Sequence, residues 1–135
     1  MLDGNTQGYA VPSERTVAIN PITREPWATL FHEIAHCLLH ADRGKNVIAD
    51  GENLPLDLAE GEAEAVAYLC CATLGLGGLE KSRAYVQHWL ASPERRELFR
   101  KSKCPQRVFA AADKILKAGS ASSTQNADRE AEATA

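Results

Sequence analysis

The sequence predicts an α+β fold, a small N-terminal antiparallel hairpin packed on a helical body. Three observations predict it. Thr16-Val17-Ala18-Ile19-Asn20 alternates at period two behind the turn-forming string Pro12-Ser13-Glu14-Arg15. Leu30, Ile34 and Leu38 recur at helical spacing. Further along, apolar-periodic segments are punctuated by Gly75, Gly77 and Gly78 and reopened by Pro93 and Pro105.

The hairpin spans Tyr9 to Asn20, and Pro12 is expected to keep the Thr16–Asn20 strand at or near a sheet edge. A helix is expected over Pro26 to about Ala41. Thr23 is placed to cap it, Pro26 fits its first turn and Gly44 follows its end. Leu30, Ile34 and Leu38 are its expected core stripe. Asn46 to Pro55 reads as a loop, and Asp57 to about Leu74 as a second long helix closed by the glycines. A third helix covers about Leu79 to Leu90, with Tyr85 and Trp89 on one face. Pro93 opens a short helical piece. Pro105 opens a last helix to about Ala118, with Val108, Ala111, Ala112, Ile115 and Leu116 as its apolar face. Gly119 to Ala135 holds no large apolar residue. The expected organisation is therefore one domain over residues 1–118 and a disordered low-complexity tail over 119–135.

The 135 residues are 44% hydrophobic and 24% charged, enough for one domain to bury a core without disulfide staples. No apolar run is long enough for a membrane span and no secretory leader pattern is present, so a cytoplasmic location is expected. The net charge of −3 excludes a strongly basic nucleic-acid binder on bulk grounds. Charge is nonetheless uneven. Asp50 to Glu64 holds six acidic residues and no basic one, whereas Glu80 to Arg107 holds eight basic residues against three acidic. Such blocks are solvated helix faces, or else acidic residues gathered around a cation and basic ones facing a polyanion. Cys37, Cys70, Cys71 and Cys104 form no CxxC pair, so they are expected to be reduced and mostly buried.

His32-Glu33-Ile34-Ala35-His36 is an HExxH string in the middle of the first helix. Residues four apart differ by about 40° of rotation and about 6 Å of rise, so both imidazoles can reach one ion of zinc's size. Glu33 is turned about 100° from His32, where it can take a proton from water instead of ligating. A catalytic zinc site needs a third protein ligand and one open position. Glu60 and Glu64, one turn apart on the next helix, are the candidates. Glu64 is preferred because Ala67 and Tyr68 continue an inward face, while Glu60 can also serve the helix dipole. Glu62 is expected to be solvated. His40, about 12 Å along the axis from His32, reads as a surface residue or one behind the ligands, and His88 as structural.

The stretch "LFHEIAHCLLH" from Leu30, followed by "EGEAEAVAYLCCATLGL" from Glu60, resembles the ImmA/IrrE group of zinc metallopeptidases. It is also similar to the C-terminal metallopeptidase domain of ArdC-like antirestriction proteins of plasmids and phages. "GYAVPSERTVAINP" from Gly8, "SRAYVQHWL" from Ser82 and "AADKIL" from Ala111 extend the resemblance to about Gly8–Ala118. The chain departs from ArdC types in carrying Cys-Leu-Leu-His after His36, and from many ImmA/IrrE members in carrying Val66. The resemblance implies a zincin-like minimal metallopeptidase of the gluzincin kind. His32, His36 and Glu64 would then be the Zn2+ ligands and Glu33 the catalytic glutamate.

The function expected on this basis is hydrolysis of peptide bonds in a regulatory protein, in a mobile-element context. Tyr9, Tyr68, Tyr85 and His40 are unranked candidates for stabilising the oxyanion. Thr16 to Asn20 either pairs with an extended substrate or only closes the sheet. The alternative is a non-catalytic, zinc-stabilised antirestriction module associated with DNA through the basic 80–107 segment. The expected reach of the chain is the metallopeptidase module, as a stand-alone form or a piece of a longer protein.

Overall fold

A computed structural model describes residues 6–41, 48–51, 56–77 and 79–134. The element order is β1 (Thr6–Val11), a 3-10 turn (Pro12–Glu14), β2 (Thr16–Ile19), α1 (Pro26–Leu39), β3 (Ile48–Gly51), α2 (Leu58–Leu74), α3 (Leu79–Leu90), α4 (Pro93–Lys101) and α5 (Cys104–Thr134). The chain is thus α+β, as its periodicities require. No helix among the described residues is long and apolar enough to cross a membrane.

The hairpin forms with Tyr9 opposite Ala18 and Ala10 opposite Val17. A third strand joins it antiparallel, giving the order β2-β1-β3. β1 is therefore central and β2 an edge strand, the position expected for the strand that follows Pro12. The proline lies in the turn past the last β1–β2 pair, Val11 with Thr16, so its missing N–H removes no rung from the ladder. β3 falls within the segment read as a loop. Its four residues are too few to show a period, and they become a strand by pairing with β1, where Asp50 faces Gly8.

The N-cap of α1 is Glu25, whose side chain makes no capping bond. Thr23 is not the cap. Its hydroxyl donates to Gln7 Oε1 at 2.6 Å and ties the start of α1 to β1 instead. The core stripe also differs from Leu30, Ile34 and Leu38. Leu38 is exposed and the other two are half-buried, while Phe31 and Ala35 enter the core and Leu39 packs against it. A reading by large apolar residues misses a face built of Ala35, His32, Glu33 and His36, all buried.

α2 opens with Asp57, whose side chain accepts the Glu60 N–H at 2.8 Å, and ends at Gly75 with φ of 68°. It packs on α1, α3 and α5. The apolar core sits between α1, the later half of α2, and α5, with Ala63, Val66, Ala67, Cys70, Cys71, Val108, Ala111 and Ala112 as members. Cys70, Cys71 and Cys104 are buried free thiols and Cys37 is half-buried. Burial pushes the Cys70 thiol up to about 11 and that of Cys104 up to about 12.

Two glycines permit close approaches that set the site. A Cβ on Gly8 would lie 2.9 Å from Thr29 Cγ2, 3.0 Å from the Ala18 carbonyl and 3.1 Å from Glu33 Cγ. Only a bare backbone lets α1 lie this close to β1. A Cβ on Gly61 would lie 2.8 Å from the Trp89 ring. Trp89 is itself buried and donates from Nε1 to the Asp57 carbonyl at 3.0 Å, fixing the first turn of α2 on α3.

α5 does not end near Ala118 but continues as helix to Thr134, through the segment read as a disordered tail. That segment contains no proline, and its Ala, Glu, Gln and Arg residues are helix formers.

Candidate metal centre

Helical spacing presents His32 and His36 side by side, with ring centroids 4.8 Å apart. Both are buried. The Nε2 atoms lie 3.2 Å from each other and face two carboxylates. Glu60, from the first turn of α2, places Oε2 2.8 Å from His32 Nε2 and Oε1 3.3 Å from His36 Nε2. Asp50, from β3, places Oδ2 3.1 Å from both nitrogens. One donor atom each from His32, His36, Asp50 and Glu60 lies within 4.8 Å of the others, so this buried cluster can hold a metal ion. Two imidazoles and two carboxylates are the donor types that suit zinc and its neighbours in the first transition row.

Glu64 takes a different place from the one expected. Its Oε2 accepts from His32 Nδ1 at 2.7 Å, on the side of the ring opposite the cluster, and its Oε1 accepts from Ser82 Oγ at 2.6 Å. A proton on Nδ1 leaves the Nε2 lone pair of His32 facing Glu60 and Asp50. Burial disfavours the Glu64 anion, but the bonds from His32 and Ser82 outweigh it and hold the carboxyl below its usual range. Between the two glutamates considered from sequence, the structure thus brings Glu60 to the Nε2 atoms and Glu64 to the back of His32. Sequence reasoning missed Asp50 altogether. Its signal was the acidic block that begins there, but only strand pairing carries the residue to the histidines.

Glu33 is fully buried, and neither carboxylate oxygen has a hydrogen-bond partner. Its Cγ packs over Gly8, which pairs with Asp50 across the sheet. Burial and the nearby Asp50 push its pKa up to about 10. The histidines respond to the same crowding. Burial alone would lower His32, but Asp50, Glu60 and Glu64 together hold it well above its ordinary value, and Asp50 and Glu60 raise His36 likewise. Burial would raise Asp50, yet the two histidines depress it. The cluster is thus rich in buried negative charge, balanced only by protons on imidazoles. Orphaned oxygens on Glu33 and the carboxylate excess both fit a site that takes up a divalent cation.

Behind His36 a chain of polar groups continues. His36 Nδ1 is 2.8 Å from His40 Nδ1, and His40 Nε2 donates to Glu62 Oε1 at 3.1 Å. Glu62 is buried, not solvated as its spacing suggested, and its Oε2 accepts from Arg107 Nε at 2.8 Å. Tyr85 is half-buried. Its phenol is shifted upward by burial and by Glu60, Asp57, Glu64 and Asp50, which places it in the field of the cluster. His88 is exposed, and its carbonyl accepts from Arg95.

No family model matches the chain, and no curated protein and no solved structure matches it either.

Proposed function

We propose that the chain is a zinc-dependent metallopeptidase with a zincin-like fold, of the ImmA/IrrE and ArdC-like kind. One observation carries the reading: His32, His36, Asp50 and Glu60 converge beside the buried, unpartnered carboxylate of Glu33. His32, His36 and Glu60 would hold the ion, and Glu64 would orient His32 from behind. Bound zinc supplies Lewis acidity, polarising a carbonyl and acidifying a water. Glu33 holds the proton taken from that water on its carboxylate and delivers it to the leaving amine. Tyr85, whose phenol feels the field of the site carboxylates, would be the tyrosine to donate to the oxyanion. β2 is an edge strand of the sheet, and an extended peptide would pair along it as a further strand.

A second reading is favoured by Asp50. Four protein donors complete a tetrahedral set, as structural zinc sites do, and leave no open position. The chain would then be a metal-stabilised, non-catalytic module. Its DNA association would run through the exposed Lys81, Arg83, Arg96 and Lys103 of the basic segment, since Arg95, Arg100, Lys101 and Arg107 are engaged within the chain. Metal analysis and digestion of a peptide library separate the two. The peptidase reading expects equimolar zinc, cleavage lost in Glu33→Gln, and zinc lost in His36→Ala. Retained zinc with no cleavage, and single-stranded DNA binding that weakens steeply with salt, would favour the second. Failure to retain any divalent metal would exclude both.

A further inference from the structure

We infer that His40 is a positioning residue for the metal ligand His36, held in its working tautomer by Glu62 and Arg107. The inference rests on the metal-centre reading and deepens it. Two protonated Nδ1 atoms cannot face each other at 2.8 Å, so one of the pair, His36 or His40, must present a bare nitrogen. His40 Nε2 faces the Glu62 carboxylate and therefore carries a proton. With His40 neutral, its Nδ1 is bare and accepts the proton on His36 Nδ1. That leaves a lone pair on His36 Nε2, pointing at Asp50 and Glu60, where a metal would sit. The opposite arrangement puts the proton on His36 Nε2 and blocks ligation.

The two ligands are thus oriented by different devices. His32 donates directly to a carboxylate, Glu64. His36 is 5.0 Å, centroid to centroid, from a second imidazole that passes the polarity on to Glu62. Glu62 stays anionic because burial is outweighed by His40 and Arg107, which hold its carboxyl below the usual range. Arg107 also donates from Nη2 to the Leu39 carbonyl at 2.9 Å, on the last turn of α1. One guanidinium on α5 therefore fixes both the end of the ligand helix and the far end of the relay. His36, His40 and Glu62 are all at most 5% exposed, so water does not substitute for any member.

The test measures zinc affinity by competition with a chromophoric chelator, using the full chain, alongside the unfolding midpoint of the metal-free protein. His40→Ala is expected to weaken zinc about 10- to 100-fold, the usual loss when a group orienting a metal-bound histidine is removed. His40→Gln, whose amide can accept from His36 and donate to Glu62, is expected to recover most of that affinity. A merely structural role would lower the unfolding midpoint in both variants without changing the affinity of the folded fraction. Long-range proton–nitrogen spectra of zinc-loaded wild type provide the second readout, independent of any variant that fails to fold. They are expected to show His36 protonated at Nδ1 and His40 protonated at Nε2 alone. Unchanged zinc affinity in His40→Ala, or the reverse tautomers, would overturn the relay while leaving the metal centre standing. A wild-type chain that takes up no zinc would overturn both.

Discussion

The two halves of α2 are built on opposite principles. Its first turns bury Glu60, Glu62 and Glu64, while its later turns bury Val66, Ala67, Cys70 and Cys71. The apolar half is complete in itself. It packs on Phe31, Ala35, Val108, Ala111 and Ala112, and its burial stabilises the fold. Among the described residues the acidic half is paired through histidines, Ser82 and Arg107, and burying each charge costs several kcal/mol unless it is well paired. A helix that buries three glutamates within five residues is shaped for a partner with positive charge, and the cluster beside Glu60 is where that partner fits.

The largest expected contrast between the halves is in metal retention. His36→Ala removes a donor at the centre of the cluster and is expected to abolish retention of zinc through gel filtration. Val66→Ala, in the apolar half, removes two buried methyl groups and is expected to cost about 2 kcal/mol of stability. Its folded fraction should bind zinc as wild type does. If Val66→Ala weakens zinc as severely as His36→Ala, the two halves are not separable.

Glu33→Gln comes next. Cleavage is expected to fall by roughly 100- to 10,000-fold, the range for losing a general base. The metal-free protein offers an independent check. Glu33 has an ordinary value of 4.5 but is pushed up to about 10 in the fold, so the folded state keeps a proton that the unfolded chain releases. Stability contributed by that group must fall as pH rises between these values, and the penalty is absent below the lower one. Urea unfolding across the neutral range, with chelator present, should show a shallower decline in Glu33→Gln than in wild type.

These contrasts also mark what was legible in the sequence. HExxH spacing fixes the side-by-side histidines because helix geometry is local, and Glu33 follows from the same rotation. The hairpin and the starts of α2 and α4 follow from turn and capping residues. The choice between Glu60 and Glu64 depends on how α2 is rotated against α1. That rotation depends on contacts between residues far apart in the chain, which also hold α2 against α3 where Gly61 meets Trp89, 28 residues away. Asp50 reaches the site only because a four-residue strand pairs with β1, and nothing in those four residues announces the pairing. His40 and Glu62 look like exposed polar positions until α5 covers them.

Asp50 carries the third and smaller contrast, between a closed and an open centre. Asp50→Asn keeps the shape and one oxygen donor but removes a charge. Zinc affinity is expected to fall about tenfold, equivalent to about 1.4 kcal/mol, with cleavage still measurable. Loss of zinc on the scale of His36→Ala would make Asp50 an obligatory ligand and favour the closed, structural centre.

The smallest expected effect tests whether the halves of α2 open together. Cys37 is half-buried, whereas Cys70, Cys71 and Cys104 are at most 1% exposed, with thiols shifted upward by burial. A thiol reagent should therefore label Cys37 first in the native protein and reach the others only through unfolding. Zinc binds the folded state and lowers the population of open forms. Adding zinc is expected to slow labelling of Cys70 and Cys71 while leaving Cys37 unchanged, because opening the apolar half would pull Glu60 away from the histidines. Labelling of Cys70 and Cys71 that ignores zinc would mean that the far end of α2 opens with the metal centre intact. The boundary between its halves would then be a boundary between cooperative units.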